Sequence, residues 1–226
     1  ADSMQVYSEL KILSARPLRK DSQKIKHHLY GFISAKKNFS SGNWLKLVKK
    51  KIFEVRKRKK IPILVGGTGL YFKALTQGLV NIPNIPIKFR NQIRSLNKNL
   101  GSKKFYTKLL KLDPLVKNRI NFHDTHRAIR AYEVKLYTKK SIYEWFKMTK
   151  SDFEENDFYK IHIDYPRDRL IKRINERAIG MFKKGVTQEV KKFIKLKVSD
   201  GKPANKAIGI SEISDYLNEK LQKAQV

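Results

Sequence analysis

The sequence predicts an α/β fold whose parallel-sheet core is interrupted by a helical insertion. Three observations predict it: a helix, an all-apolar run and a glycine turn follow one another between residues 44 and 69. The stretch from Phe89 to Tyr143 reads as helix throughout, and a short apolar run returns at Ile161. In order, Trp44, Val48, Ile52 and Val55 recur at helical spacing with Lys between them, and the segment ends in the cations Arg56 to Lys60, suited to a helix C-terminus. Ile61-Pro-Ile-Leu-Val65 is the short, continuous apolar run of a buried parallel strand. Gly66-Gly67-Thr68-Gly69 turns the chain, and Leu70 to Leu75 resumes helical spacing. Asn81 to Pro86 holds two prolines and reads as a linker. Ile161 to Asp164 reads as a second strand; Pro166 then opens an amphipathic helix to Phe182, and Gly185, Gly201 and Gly209 punctuate shorter helices. The core is therefore assigned to residues 1–86 and 155–226, the insertion to 87–154.

Charge narrows the function. The chain carries 51 Lys and Arg against 20 Asp and Glu over 226 residues, a formal net charge of +31. That excess exceeds what solubility asks for and suits a polyanionic partner, although Lys runs such as Lys49 to Lys51 also fit a genome-wide compositional bias. Hydrophobic residues at 40% exclude a disordered basic tail. The lack of Cys excludes disulfides, thiol catalysis and Cys-ligated metal centres. No apolar run is long enough to span a bilayer, and the expectation is a soluble, intracellular protein; a cytoplasmic monomer without a membrane partner is expected besides. The opening Ala1-Asp2-Ser3 lacks an initiator Met and reads as though residues precede it.

Four segments carry chemistry. Gly66, Gly67, Thr68 and Gly69 allow close backbone approach at a helix N-terminus, where a phosphate or diphosphate is the natural guest; a plain tight turn is the alternative. Asp2, Ser3, Met4 and Gln5 put an acid, a hydroxyl and an amide within four residues, able to read a nucleobase edge or to cap a strand end. Arg169, Arg173 and Arg177 step by four along one helix side, a phosphate clamp or a solvated face. His126, Arg127, Ala128, Ile129 and Arg130 follow Asp124, a candidate N-cap, and suit nucleic-acid contact better than zinc, for which no third ligand stands at a diagnostic spacing.

Together these segments resemble the bacterial tRNA dimethylallyltransferases. The resemblance runs in order through Ala1 to Tyr7, His27-His28-Leu29, IPILVGGTGLYFKA from Ile61, Asp113-Pro114, Asp124 to Val134, Pro166 to Arg177, Met181, and Ala207-Ile208-Gly209. It implies a P-loop-NTPase-like parallel sheet core with a helical insertion domain. The activity it implies is transfer of a dimethylallyl group from dimethylallyl diphosphate to the adenosine adjoining a tRNA anticodon, with Mg²⁺. By the same resemblance, Asp2 is the base on the adenine amine and Ser3 to Gln5 contact the flipped base. Thr68 and Arg90 lie near the reacting groups, His126 to Arg130 meet the tRNA anticodon stem-loop, and Arg173, with Arg177 and the glycine turn, holds the diphosphate.

The sequence also departs from that family. No G-x-x-x-x-G-K-[ST] phosphate loop occurs in it, Ile210 stands where Tyr is preferred, and His126 where Gln is usual. The expectation is a piece of a longer protein, lacking the first strand and phosphate loop and cut at both ends. A tRNA-binding remnant without catalysis is the alternative. A small-molecule kinase is disfavoured by the basic charge and by the Asp2 to Gln5 segment.

Overall fold

In a computed structural model of the chain, residues 1–222 are described, and they divide into two compact units: Ala1–Ala74 with Glu155–Val226, and Leu75–Glu154. Every regular element among the described residues is helical: α1 (Arg19–Lys24), α2 (Ser41–Lys57), α3 (Gly69–Gln77), α4 (Ile87–Leu112), α5 (Thr125–Thr138), α6 (Ile142–Lys147), α7 (Arg167–Lys183), α8 (Val186–Lys195) and α9 (Ile210–Leu217), with three short 3-10 turns.

The α/β expectation, with its P-loop-NTPase-like parallel sheet, is therefore overturned. Extended pairing among the described residues amounts to a single parallel bridge, Tyr7 to Ile33. The two expected strands are irregular and open to solvent, with Ile61 87% and Ile163 83% exposed. An apolar run becomes a buried strand only when neighbouring backbone takes up its N–H and C=O groups and layers cover both faces. Among the described residues, apart from the bond that Val65 O accepts from Ala1 N, neither condition is met at 61–65 or 161–164, so composition alone misassigned both segments.

The first unit is built around its N-terminal segment. Val6, Tyr7, Leu10 and Ala35 pack with Phe193, Ala204, Ala207 and Ile210. On α8 the buried Val186, Val190 and Phe193 lie on one side, at the i, i+4, i+7 spacing of an apolar helix face. Its Glu189 accepts backbone N–H bonds from Lys11 at 2.9 Å, Ile12 at 2.8 Å and Leu13 at 2.9 Å, fixing that loop against α8. Gly209 opens α9 with φ +97°, and a Cβ there would lie 2.7 Å from Leu13 Cδ1, so glycine satisfies both backbone and space. Trp44 of α2 stacks on Tyr71 of α3, ring centroids 4.2 Å apart. Burial pushes the Tyr71 phenol up to about 12.

Beside the Tyr7–Ile33 bridge, Glu9 accepts from Ser34 Oγ at 2.7 Å, the Ala35 amide at 3.0 Å and Ser8 Oγ at 2.9 Å. Burial pushes the Glu9 carboxyl up, but these hydrogen bonds outweigh it and the net shift is down. A lowered folded-state value adds stability above the ordinary glutamate range, and that contribution disappears as pH falls through the lowered value. Denaturant titrations below about pH 4.5 are expected to show a shallower acid loss in Glu9→Gln than in the parent; identical acid limbs would mean the bonds do not matter.

In the second unit α4 and α5 enclose a separate core of Ile93, Phe105, Leu109, Val116, Ala128, Ala131 and Val134. Within α4, Gly101 leaves helical geometry at φ 71°, so the element is two helices joined at a kink. Asp124 caps α5, its carboxylate accepting from the Arg127 amide at 3.1 Å. Trp145 of α6 donates through Nε1 to Thr138 Oγ1 at 3.0 Å.

Candidate functional site

The first unit brings Asp2 and Thr68 together. Asp2 Oδ1 accepts from the Met4 amide at 2.7 Å and the Gln5 amide at 3.2 Å, a local turn of the kind short acidic side chains favour. The next amide, Ser3 N, donates to Thr68 Oγ1 at 2.9 Å, and Thr68 Oγ1 lies 3.4 Å from Ser3 Oγ. Ala1 completes the junction, its nitrogen donating to Val65 O at 2.6 Å and its carbonyl accepting from Thr68 N at 3.2 Å. Segments 65 residues apart in the chain thus meet through four hydrogen bonds.

Each residue of the turn has a distinct place. Gly66 is required by close approach, because a Cβ there would collide with the Ala1 carbonyl group; Gly67 and Gly69 have open space at that position. Thr68 also starts α3, its carbonyl accepting from Tyr71 N at 2.9 Å. Gly66→Ala is expected to push Ala1 to Ser3 away from Thr68. It should impair any chemistry at the junction far more than Gly67→Ala does, and comparing turnover by the two variants checks this.

The remaining candidates are distributed. Gln5 spends its side-chain amide on the backbone, donating through Nε2 to Ser14 O at 2.9 Å and Ala15 O at 3.2 Å. Met4 packs partly buried against the Val6 cluster. Arg173 and Arg177 are exposed on α7, and the Arg173 guanidinium lies 5.2 Å over the Tyr165 ring. In the second unit His126 and Arg127 face solvent, whereas Ala128 is 2% exposed within the core and Ile129 packs partly buried against it. Arg90 and Arg130, also there, both face the carboxylate of Glu133.

Sequence reading assigned no role to Glu133 or Glu189. A signal for Glu133 existed: it is an acid three residues beyond Arg130, between the apolar Tyr132 and Val134. Glu189 gave none, since its partners lie some 177 residues away.

Among the described residues no group of three or more His, Asp or Glu side chains is placed to hold a metal ion. These residues do not form a cage for Mg²⁺. Nor is any helix among the described residues long and apolar enough to cross a membrane.

Known proteins share both sequence and fold with this chain. The family profile described as IPP transferase matches residues 5–226. The tRNA dimethylallyltransferase of Pelagibacter ubique is 55% identical over 221 residues, 98% of this chain and 71% of that protein. That of Rickettsia massiliae is 42% identical over 222 residues, 97% of this chain and 61% of the relative. Among solved structures, the tRNA isopentenylpyrophosphate transferase of Bacillus halodurans is 29% identical with a TM-score of 0.63, covering 99% of this chain and 69% of that one. A eukaryotic dimethylallyltransferase acting on tRNA, 23% identical, shares the fold with a TM-score of 0.82 over 97% of this chain and 56% of its own. Such agreement defines the class: a prenyl transferase of tRNA modification. The chain belongs to the IPP transferase family, the tRNA dimethylallyltransferases. It spans 61–71% of the two curated relatives' length.

Proposed function

We propose that the Asp2–Thr68 junction is where an adenine amine of a tRNA anticodon loop takes a dimethylallyl group from dimethylallyl diphosphate. The observation that carries this reading is the 2.9 Å bond from Ser3 N to Thr68 Oγ1, which makes one site of two distant motifs. In the reaction the exocyclic nitrogen bonds to the allylic carbon as that carbon's bond to oxygen breaks, and diphosphate leaves with the electron pair. One proton is lost from the nitrogen. Asp2 Oδ1 is held by two amides, which orients the carboxylate, and Oδ2 is assigned that proton. Arg173 and Arg177 are assigned to the departing diphosphate, whose charge grows as the bond breaks. His126, Arg127, Arg130 and Arg90 are assigned to the tRNA, with the backbone of Ala128 and Ile129, since their side chains turn to the core. Anticodon loops supply the unstacked bases such a site needs. Mg²⁺ is expected to arrive on the diphosphate oxygens, the way this ion usually binds.

A tRNA-binding role without transfer is the second reading, favoured by the net charge of +31, which suits a polyanion whether or not chemistry follows. Incubating the chain with radiolabelled dimethylallyl diphosphate and unmodified tRNA separates the two. Label in the tRNA is the expected result; binding without label supports the second reading, and neither would sink both.

A further inference from the structure

Glu133 is an acid with no place among solvated groups: its side chain is 2% exposed on α5. One oxygen, Oε2, faces two guanidiniums, Arg90 Nε at 3.3 Å and Arg130 Nη1 at 3.4 Å. Arg130 comes from the preceding turn of α5, but Arg90 comes from α4, 43 residues earlier. The guanidiniums are only partly covered, with side-chain exposures of 37% and 39%. Two cations around one anion leave an unbalanced positive charge, and it is displayed where the forks reach solvent. Each fork has five N–H donors and gives one to Glu133, so both can still meet phosphoryl oxygens. Without the carboxylate the two like charges would repel and the long side chains would regain their rotamer freedom.

We propose that Glu133 is a positioning residue that sets Arg90 and Arg130 side by side as one paired cation for the phosphoryl oxygens of the substrate. The inference rests on the tRNA reading above, and the shared chemistry is phosphoryl oxygen, supplied by RNA backbone or by a free diphosphate. The full chain, ¹⁵N-labelled, is titrated separately with an anticodon stem-loop and with inorganic diphosphate while the Nε–H signals of Arg90 and Arg130 are followed. In the parent both signals shift together in at least one arm, and that arm names the source.

Glu133→Gln keeps the volume and removes the charge, and is expected to weaken that response about 10- to 100-fold. Unchanged affinity in the variant, or arginine signals that shift independently in the parent, overturns the proposal. Should Glu133→Gln not fold, Arg90→Gln and Arg130→Gln decide: acting as a unit, the double variant loses little more than either single one, whereas additive losses overturn the pairing. Transfer to tRNA with neither arginine responding removes this inference, and the assignment of these two arginines to the tRNA with it, and keeps the transfer reaction at the Asp2–Thr68 junction. Paired shifts without any transfer do the reverse.

Discussion

Asp2→Asn is expected to lower dimethylallyl transfer by about 10²- to 10⁴-fold, the usual contribution of a positioned general base, and to leave tRNA affinity nearly unchanged. The structure makes Asn the informative substitution. Asp2 Oδ1 accepts from two amides, Met4 N and Gln5 N, and the Asn carbonyl can keep both bonds while the second oxygen becomes an amide that cannot take a proton. Asp2→Ala removes the turn's acceptor as well as the base, so transfer should vanish, with the Ser3–Thr68 contact loosened besides. Steady-state transfer and tRNA binding, measured side by side for the three proteins, check this. A large affinity loss in Asp2→Asn with turnover preserved would make Asp2 an anchor for the RNA instead of a base.

Phe105→Ala is expected to destabilise the second unit by about 3–5 kcal/mol, as truncating a fully enclosed aromatic generally does. Phe105 is completely buried, and its ring lies 5.0 Å from that of Tyr132 on α5. Leu109, Val116, Ala131 and Val134 pack in the same cluster. The loss combines hydrophobic transfer with the cavity left between helices whose backbones cannot close up. For a unit of about 80 residues, with a urea dependence near 1–2 kcal/mol per M, the midpoint falls by roughly 1.5–5 M. Since α5 carries His126, Arg127 and Arg130, tRNA binding should be lost over the same denaturant range as the helical signal. A midpoint drop below about 0.5 M would mean this core does not hold the unit together.

Legibility differed sharply between kinds of feature. Periodicity located α2 well: Trp44, Val48 and Ile52 are buried on one side, as their spacing requires. The N-cap of α5 was equally readable, because capping depends on residues within one turn of each other. The strands were not. Whether Ile61 to Val65 forms a ladder depends on backbone elsewhere in the chain, which no local pattern records. Helix α7 differs in a similar way: it is amphipathic as its spacing predicts, yet Leu170 and Ile174, one turn apart on it, are 43% and 45% exposed.

The site was legible as a set of motifs but not as a geometry. Glycine at position 66 signals close approach, by a ligand or in a plain tight turn, and the group that approaches it is the Ala1 carbonyl. The Gln5 side-chain nitrogen ties down Ser14 and Ala15, partners that its residue type does not reveal. In both cases the residue type was recognised and the partner was not, because the partner is set by tertiary packing.

The chain's two tryptophans fall one to each unit, and their surroundings differ. Trp44 is stacked face to face on a phenol, whereas Trp145 is hydrogen-bonded to a threonine with the Lys140 ammonium 5.8 Å from its ring. Their emission should therefore differ in yield and wavelength. Replacing either by Phe leaves a single intrinsic fluorophore, so the melting of each half of the molecule can be watched separately without attaching a dye.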